Sequence, residues 1–338
     1  MSIGWSKSDL SPRRYLALAA LTAFVIVGIP ASFFCWAYSQ GRLVAPALSG
    51  NVCFDEKARF LRNSPNKQCD VLVIGSSMAL NNIDSEAMLK HLPPGTRLLN
   101  AGAYNMKISQ TRALLDCLLA VYRPRNVIFV CGLMDFNKTP GPTQFFDASE
   151  VIHFINGRSA WVPILLRHFD LQYYVKWSFR ILQIRSSRRD YFSVMFDACG
   201  SIPLEISFPK VDERRWNLKV DPEQLDPAEY EELASIADSV RSRGSTLICI
   251  QPPMKRGSVP MAVSTAVDEH WSRMERILAT RGFHLWNHSA MGLSDDYFCD
   301  YSHLNNKGAP IFSEIVGREA NSEGPKERVA STQTSRIH

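Results

Sequence analysis

Apolar and polar positions follow a strand-then-helix order along most of the chain after residue 69. Short apolar runs predict five strands, at residues 70–75, 97–100, 126–131, 245–251 and 283–287. The first, third and fourth runs are apolar without interruption, as is typical of parallel strands that are covered on both faces. The pattern therefore predicts an α/β fold with a doubly wound parallel sheet and helices on both of its faces.

The segments between these strands carry helical signals. Asp226 is a good N-cap residue, Pro227 fits the first helical position, and Gly244 is a stop signal for the helix that begins there. Residues 109–121 place apolar side chains at helical spacing. The helices that the sequence predicts lie near residues 85–91, 109–121, 226–244, 262–281 and 307–318.

The stretch from residue 15 to residue 38 is apolar and contains no charged residue. At ~1.5 Å per residue, a helix of this length crosses the ~30 Å hydrocarbon core of a bilayer. Lys7, Arg13 and Arg14 precede the stretch, whereas only Arg42 follows it closely. The positive-inside bias then places the N-terminus in the cytoplasm and the remainder of the chain across the membrane.

Two other interpretations of this apolar stretch stay open. A cleaved signal peptide would have a shorter apolar region that ends in small residues, but the bulky Phe33, Phe34, Trp36 and Tyr38 occupy that end. A helix buried in a soluble core is the second alternative, and Pro30 late in the segment is compatible with it. The aromatic residues favour an uncleaved anchor, because Trp and Tyr are enriched at membrane interfaces.

Between residues 138 and 225 the strand–helix alternation stops, and aromatic residues become frequent with arginines among them. We interpret this stretch as a largely helical insertion on the loop face of the sheet. Its aromatic side chains pack a small core of their own, or form a lid for carbohydrate or an acyl chain, or dock on lipid headgroups. The predicted organisation is a cytoplasmic N-terminus at 1–14, a transmembrane anchor at 15–38, a polar connector at 39–69, an α/β domain at 70–318 with its insertion at 138–225, and a disordered tail at 319–338.

Charge and cysteine content narrow the classes of function. The net charge of +5 is modest and spread along the chain, so nucleic-acid binding gains little support. Seven of the eight cysteines follow the apolar stretch, and this odd number argues against a complete disulfide framework. Cys53 with Cys69, and less strongly Cys199 with Cys299, are the pairs that an oxidising compartment could form. No CxxC pair or His/Cys cluster indicates a metal site, and no cofactor is expected.

Two segments that are far apart in the sequence carry the residues of one catalytic chemistry. Ser77 follows the first predicted strand on a tight polar turn, and Asp300 and His303 lie three positions apart near the C-terminus. A serine hydroxyl becomes a nucleophile when a histidine takes its proton and a carboxylate orients that histidine. Each residue also has a structural interpretation, because serines often cap helices and a lone histidine is often an ordinary surface residue.

These motifs resemble three sequence blocks of the SGNH (GDSL-type) hydrolases and occur in the same order. The blocks are Gly75-Ser76-Ser77-Met78, similar to the family's Gly-Asp-Ser-Leu; Asn100-Ala101-Gly102, similar to its glycine block; and Asp300-Tyr301-Ser302-His303, similar to its Asp-x-x-His. The resemblance covers about residues 70–137 and 240–318. It implies a three-layer α/β/α fold of the flavodoxin-like kind.

The resemblance also implies roles for individual residues. Ser77, Asp300 and His303 would form the catalytic triad, and the backbone N–H groups of Ser77 and Gly102 would donate to the oxyanion.

Two positions depart from the family pattern. Ser76 stands where the family has an aspartate, and Met134 stands where it has an asparagine that serves the oxyanion hole. Losing one such donor typically costs about 10²–10³ in rate. Asn137 or Asn105 could take its place from nearby. Asp135, at the end of the third strand, is interpreted as a structural residue of the rim.

The function that the resemblance implies is a membrane-anchored, extracytoplasmic serine esterase or O-acyltransferase. Its substrates would be acyl esters, acetyl esters foremost, of a surface or exported polysaccharide. The combination of an anchor, an outward domain and a Gly-Ser-Ser block is similar to that of bacterial proteins of surface-polysaccharide modification. This similarity implies the inner membrane as location, a periplasmic or extracellular domain, and polysaccharide-assembly proteins as partners.

Two alternatives stay open. One is a non-catalytic component of an exopolysaccharide synthesis or export complex. The other is a eukaryotic secretory-pathway enzyme, with glycosylation acceptor patterns at Asn137-Lys138-Thr139 and Asn287-His288-Ser289.

Overall fold

Five parallel strands form one sheet in the order β2-β1-β3-β4-β5. The structure is a computed structural model that describes residues 11–64, 68–138, 146–157, 161–185, 189–206, 213–218 and 221–322. The strands are β1 (Val71–Gly75), β2 (Leu98–Asn100), β3 (Asn126–Val130), β4 (Thr246–Gln251) and β5 (Leu285–Asn287). Each lies within two residues of a predicted strand, so the predicted sheet is confirmed.

Helices precede the sheet, connect its strands and fill the insertion. They are α1 (Pro12–Ala23), α2 (Ile29–Ser39), α3 (Val52–Asn63), α4 (Ser77–Asn82), α5 (Ser85–Leu89), α6 (Ile108–Val121), α7 (Ala148–Ile155), α8 (Trp161–Arg167), α9 (Leu171–Ile184), α10 (Pro227–Ser242), α11 (Ser264–Ala279) and α12 (Gly308–Ser322). The start of α10 follows the sequence signal directly, because the Asp226 side chain accepts a hydrogen bond from the N–H of Ala228 at 3.0 Å.

The sheet is the middle of three layers. Alternate residues of a strand point to opposite faces. On one face, Leu72 and Ile74 pack in a core with side chains of α6, α10 and α11. On the other face, Val71 and Val73 pack with side chains of α5 and α12. Covering both faces explains why the central strands are apolar at every position, and it confirms the predicted α/β/α architecture.

The N-terminal helix is long and apolar enough to cross a membrane. A π-helical turn joins α1 to α2, so that one helix of 28 residues runs from Pro12 to Ser39. Its most apolar window of 18 residues has a mean hydropathy of 2.2, and none of that window is buried in the protein. A core helix would be mostly buried, so the interpretation of this stretch as a soluble core helix is wrong.

The segment expected to be a polar connector contains α3, which packs into the domain. Phe54 and Leu61 of this helix belong to the main core. The helix is not evident from the sequence because Asp55, Glu56 and Lys57 interrupt its apolar face. All three of these residues are nevertheless buried. Their polar groups find partners inside the protein, as buried charged groups must.

The described part of the insertion is helical mainly in its first half. Helices α7, α8 and α9 lie there, whereas the described residues 189–206 form turns and extended chain, and Glu213–Arg215 and Pro222–Gln224 form short 3-10 helices. The expectation of a largely helical insertion is therefore wrong for residues 189–206. The expected disordered tail begins inside α12, which continues to Ser322, and its remaining residues 323–338 lie outside the described part of the chain.

None of the eight cysteines, all of which are described, forms a disulfide bond. Neither Cys53–Cys69 nor Cys199–Cys299 is formed. Cys53 instead contacts the carbonyl of Phe192 at 3.7 Å, and Cys299 contacts the carbonyl of Ile206 at 3.4 Å.

The end of β1 requires glycine at position 75, which supplies a stability prediction. Gly75 has a φ of +140°, and an added Cβ would lie 2.1 Å from the carbonyl oxygen of Val130 on the neighbouring strand. Gly75→Ala should therefore lower the free energy of unfolding by at least about 2 kcal/mol. Urea-induced unfolding of the detergent-solubilised protein, followed by near-UV circular dichroism, measures this change.

Gly95→Ala is the matched control for this prediction. Gly95 also has a positive φ, of +81°, but nothing lies within 4 Å of its added Cβ. Gly95→Ala should lower the free energy of unfolding by only about 1 kcal/mol, which is the cost of a positive φ for a residue that has a Cβ. Equal losses in the two variants would contradict the steric argument.

Candidate active site

The candidate site lies where the strand order of the sheet reverses. The chain passes from β1 to β2 on one side, and the later strands add on the other side of β1. In such sheets the crevice outside the carboxyl ends of the two central strands is where ligands bind. Ser77 follows β1, and the 3-10 turn Leu133–Phe136 follows β3, so both lie at this crevice.

Ser77, His303 and Asp300 form a continuous hydrogen-bonded chain. The Nε2 atom of His303 lies 2.8 Å from Oγ of Ser77, and its Nδ1 atom lies 2.8 Å from Oδ2 of Asp300. The structure thus brings together three residues that the sequence predicted, across a separation of 226 positions. The arrangement has the geometry of a nucleophile, a base and an orienting carboxylate.

Helix α4 presents Ser77 at its first position. The side chain of Ser76 caps the helix by accepting a hydrogen bond from the N–H of Met78 at 3.2 Å. The first backbone N–H groups of a helix have no acceptor within the helix. The N–H of Ser77 is one of these groups, so it is free of helical hydrogen bonding at the same point where its hydroxyl meets His303.

Asp300 holds both the imidazole ring of His303 and the loop that carries this residue. Its Oδ1 atom accepts hydrogen bonds from the backbone N–H groups of Ser302 at 2.9 Å and His303 at 2.7 Å. Its Oδ2 atom accepts from the ring. The three-residue spacing of the motif is explained by this turn, because one carboxylate reaches both the backbone and the side chain of His303.

Asn82, at the opposite end of α4, holds the same loop from the other side. Its Nδ2 group donates to the carbonyl of Ser302 at 3.0 Å, and its Oδ1 atom accepts from the N–H of Leu304 at 2.7 Å. Asn82 is fully buried. One helix of six residues therefore carries the hydroxyl and also clamps the backbone on both sides of His303. Sequence reasoning missed Asn82, whose only signal is a polar residue at the end of an apolar run.

The insertion contributes Tyr191 to the site. Its hydroxyl lies 2.9 Å from the carbonyl of Cys299 and 3.2 Å from Oδ2 of Asp300, so it can donate to either oxygen. The guanidinium of Arg215 stacks 4.0 Å from the centre of the Tyr191 ring, and the Arg215 carbonyl accepts from the N–H of Tyr301 at 3.0 Å. In the sequence, Tyr191 is one of many aromatic residues of the insertion, and nothing in the pattern indicates this contact.

Asp300 and His303 each have a pKa that is shifted in the direction opposite to the one that burial alone would cause. Burial alone would raise the pKa of Asp300, but the charge of His303 and the hydrogen bonds that Asp300 accepts lower this pKa to about 2. Burial would lower the pKa of His303, yet the charge and the hydrogen bond of Asp300 outweigh it and raise this pKa above its ordinary value. The pair therefore stabilises an imidazolium beside Ser77.

Asp135 fastens the turn after β3 to the turn after β1. Its Oδ2 atom accepts from the N–H of Gly132 at 2.9 Å, and it is hydrogen-bonded to the side chain of Ser76. Burial raises the pKa of Asp135 to about 7 against these hydrogen bonds, which lower it. The hydrogen bond with Asp135 gives Ser76 a structural role beside its capping of α4.

Gly102 is not the free oxyanion donor that the resemblance implies. Its N–H donates to Oδ1 of Asn100 at 2.9 Å, and an added Cβ would lie 2.9 Å from the backbone nitrogen of Leu80. The glycine is required because this loop packs closely against α4. Its N–H is already used within the loop, which is a contact that the sequence does not reveal.

Three other residues concern the oxyanion hole that the resemblance implies. Met134 is exposed on the rim. Asn137 follows the 3-10 turn and pairs with Leu225 in an isolated antiparallel bridge. Asn105 is exposed on the loop after β2 and has a φ of +60°, a conformation that is uncommon for a residue other than glycine. No hydrogen bond to the N–H of Asn105 is formed by the residues that the structure describes.

Comparisons with family models and with curated proteins found no match. The arrangement of Ser77, His303 and Asp300 therefore carries the functional argument.

The raised pKa of His303 predicts a specific titration. In the detergent-solubilised protein, His303 should titrate above about 6.5, the ordinary pKa of histidine, and Asp300→Asn should lower its pKa because the main stabilising charge is lost. Nuclear magnetic resonance of ¹³Cε1-labelled histidine measures both values, with His303→Gln assigning the resonance. A His303 that titrates below 6.5 in the unaltered protein would contradict the electrostatic analysis.

The clamp by Asn82 predicts a loss of reactivity without a loss of fold. Asn82→Ala removes both hydrogen bonds beside His303, so the rate at which a fluorophosphonate probe labels Ser77 should fall at least about tenfold. Asn81→Ala is the matched control, because Asn81 is equally buried on the same helix but donates to the Tyr104 hydroxyl at 3.1 Å and the Ile202 carbonyl at 2.8 Å. Both variants should lose about 1–3 kcal/mol of stability. Equal labelling rates in the two variants would show that the clamp does not position His303.

Proposed function

We propose that the protein is a membrane-anchored member of the SGNH-type hydrolases and that its domain is a serine esterase or an O-acyltransferase. The observation that carries this proposal is the hydrogen-bonded chain from Asp300 through His303 to Ser77 at the crevice of the sheet. A serine that merely capped a helix would not need a histidine on its hydroxyl, and Ser76 already caps α4.

In the proposed mechanism, the hydroxyl oxygen of Ser77 attacks the carbonyl carbon of an acyl ester, and Nε2 of His303 takes the hydroxyl proton. Asp300 accepts the Nδ1–H hydrogen bond and stabilises the imidazolium that forms. The tetrahedral intermediate collapses when the bond to the alcohol oxygen breaks and His303 gives its proton to that oxygen. The acyl group stays on Ser77 and then passes to an acceptor hydroxyl, which His303 deprotonates in the same way.

The acceptor decides between the two activities. Water yields hydrolysis, and a sugar hydroxyl yields acyl transfer. The residues of the triad act identically in the two cases, so the choice depends on what the surrounding insertion admits to the acyl-enzyme.

Two backbone groups are proposed as oxyanion donors. The first is the N–H of Ser77 at the start of α4. The second is the N–H of Asn105, because this residue is exposed on the loop after β2 and its N–H forms no hydrogen bond within the described residues. A backbone donor at position 105 would compensate for the missing side-chain donor at Met134. Asn137 remains the alternative that the sequence offered.

Exposed apolar side chains at the rim support an acyl or sugar substrate. Phe192 is exposed, has a φ of +64°, and follows Tyr191, which contacts Asp300. Its ring lies 5.4 Å from that of Tyr104, on the same loop as Asn105. Aromatic faces stack on sugar rings and pack against acyl groups. We propose acetyl esters of a surface or exported polysaccharide as the substrate class and polysaccharide-assembly proteins as partners.

The proposed location is the bacterial inner membrane, with the N-terminus in the cytoplasm and the domain on the outer side. The cationic residues Arg13 and Arg14 before the apolar helix support this orientation. Packing of the end of α2 on the domain supports an uncleaved anchor, since Ala37 is buried there.

A non-catalytic role in a polysaccharide synthesis or export complex is the second candidate. Met134, which is 44% exposed on the rim, is the observation that favours it, because a thioether cannot donate a hydrogen bond to an oxyanion. This role would leave the aligned Ser77 and His303 without a purpose.

Labelling by a fluorophosphonate probe tests the nucleophile. The full-length protein should be labelled, Ser77→Ala should abolish labelling, and His303→Ala should slow it by about 10²–10⁴ because the general base is lost. Ser76→Ala is the matched control, since it removes the adjacent hydroxyl, with its helix cap and its hydrogen bond to Asp135, but leaves Ser77 in place. Labelling that survives in Ser77→Ala would contradict the assignment.

Mass analysis of surface glycans tests the substrate class. Cells that carry Ser77→Ala should show fewer acyl groups than unaltered cells if the protein is a transferase, and more if it is an esterase. If the glycans of Ser77→Ala cells are unchanged although Ser77 of the unaltered protein reacts with the probe, the polysaccharide substrate is rejected. If the glycans are unchanged and Ser77 of the unaltered protein is also unreactive, the non-catalytic role is favoured.

A further inference from the structure

Exposed apolar side chains cluster at the junction of α8 and α9. Among the described residues outside the N-terminal helix, large apolar side chains are mostly buried, and the exposed ones elsewhere are scattered singly. Four of the exposed ones fall within ten residues of one another: Leu166, Phe169, Leu171 and Val175. Leu171 and Val175 are four positions apart and so share one face of α9. We call residues 166–175 the α8–α9 corner. A patch of this kind marks an interaction surface.

The corner contacts the outer end of the N-terminal helix. The ring of Phe34 lies 5.1 Å from that of Phe169 and 4.7 Å from that of Tyr174. Ala37 is buried and Tyr38 is half-buried, and with Phe34 they form one helical face that turns towards the domain. The corner is therefore continuous with the apolar helix and not remote from it.

Helix geometry places this contact at the edge of the hydrocarbon core. The uncharged stretch begins at Tyr15. About 20 residues at ~1.5 Å per residue are needed to cross ~30 Å of hydrocarbon, so the outer boundary falls near Phe34. Trp36 lies just beyond it, and the guanidinium of Arg42 stacks 5.0 Å from the Trp36 ring. Because Phe169 touches Phe34, the corner lies at the same level.

We propose that the α8–α9 corner inserts shallowly into the outer leaflet of the bilayer, so that the domain is seated on the membrane as well as tethered to it. The lipid is the occupant that fits, because the exposed side chains are apolar and lie at the level of the headgroup boundary. Lys176 and Arg180 are exposed on the following turns of α9, and their charges are suited to lipid phosphates.

One apolar cluster connects the α8–α9 corner to the candidate active site. This cluster joins Phe34 and Tyr38 of the N-terminal helix to Tyr174 of α9 and to Leu80 of α4, the helix that carries Ser77. Polar contacts reinforce the attachment, since Nη1 of Arg185 donates to the carbonyl of Gly41 at 2.6 Å. The height of Ser77 above the bilayer is therefore fixed by packing. Such a site acts on chains close to the membrane surface.

Photo-cross-linking of the full-length protein in lipid nanodiscs tests the seat. A p-benzoylphenylalanine replaces Leu171, which is 62% exposed, and in a second variant Met261, which is 94% exposed in a different part of the domain. The discs contain phosphatidylcholine and phosphatidylglycerol and no other protein. The yield of lipid adduct, measured by mass spectrometry, should be at least about tenfold higher at position 171 than at position 261. Replacement of Val175 should behave like replacement of Leu171.

Each contrary outcome overturns the proposal. Cross-links to a second copy of the chain without lipid adducts would make the corner a protein interface. Equal lipid adducts at positions 171 and 261 would show random collision, and no adduct at position 171 or 175 would place the corner in water. Lipid adducts at position 171 form whether or not Ser77 is reactive, so a failure of the proposed membrane contact and a failure of the proposed enzyme activity are distinguishable.

Discussion

Two hydrogen bonds from the buried side chain of Asn82 hold the candidate active site together. They tie the loop around His303 to the end of the helix that begins at Ser77. This clamp positions the loop independently of the hydrogen bond between Ser77 and His303, which would have to break and re-form in the proposed reaction. A fully satisfied amide inside the protein is a rigid connector, because leaving either of its groups unpaired is costly.

A second set of buried polar contacts makes the insertion part of the α/β domain. The Ser201 hydroxyl contacts Nδ2 of Asn100 and the Ser85 hydroxyl, each at 2.8 Å. Lys57 donates to the carbonyl of Asn100 at 3.1 Å from a fully buried position, and burial lowers its pKa to about 7. These contacts bring α3, β2 and the chain after residue 196 to one place. They explain how Tyr191 reaches Asp300 from a segment with no regular structure of its own.

The proposed contact of the α8–α9 corner with the membrane is compatible with the proposed substrate class. The N-terminal helix, the α8–α9 corner and α4 share one apolar cluster, so the proposed nucleophile is held at a set distance from the bilayer. The exported polysaccharide that we propose as substrate would be within reach of such a site as it leaves the membrane. The exposed Phe192 and Met134 on the rim would then meet the polymer or its acyl group before Ser77 does.

The sequence by itself determined the order of strands and helices in the α/β domain, because the period of apolar positions is a local property that each segment carries alone. It also predicted Ser77, Asp300 and His303 as site residues, from their residue types, from the three-residue spacing of Asp300 and His303, and from the resemblance of their motifs to a known family. Only the tertiary structure decided which groups meet: that Asn82 clamps His303, that Tyr191 joins Asp300, that the N–H of Gly102 is already used, and that α3 buries Asp55 and Lys57. These are contacts between residues far apart in the chain, or between a backbone group and a side chain, and they follow from packing in space rather than from any pattern along the sequence.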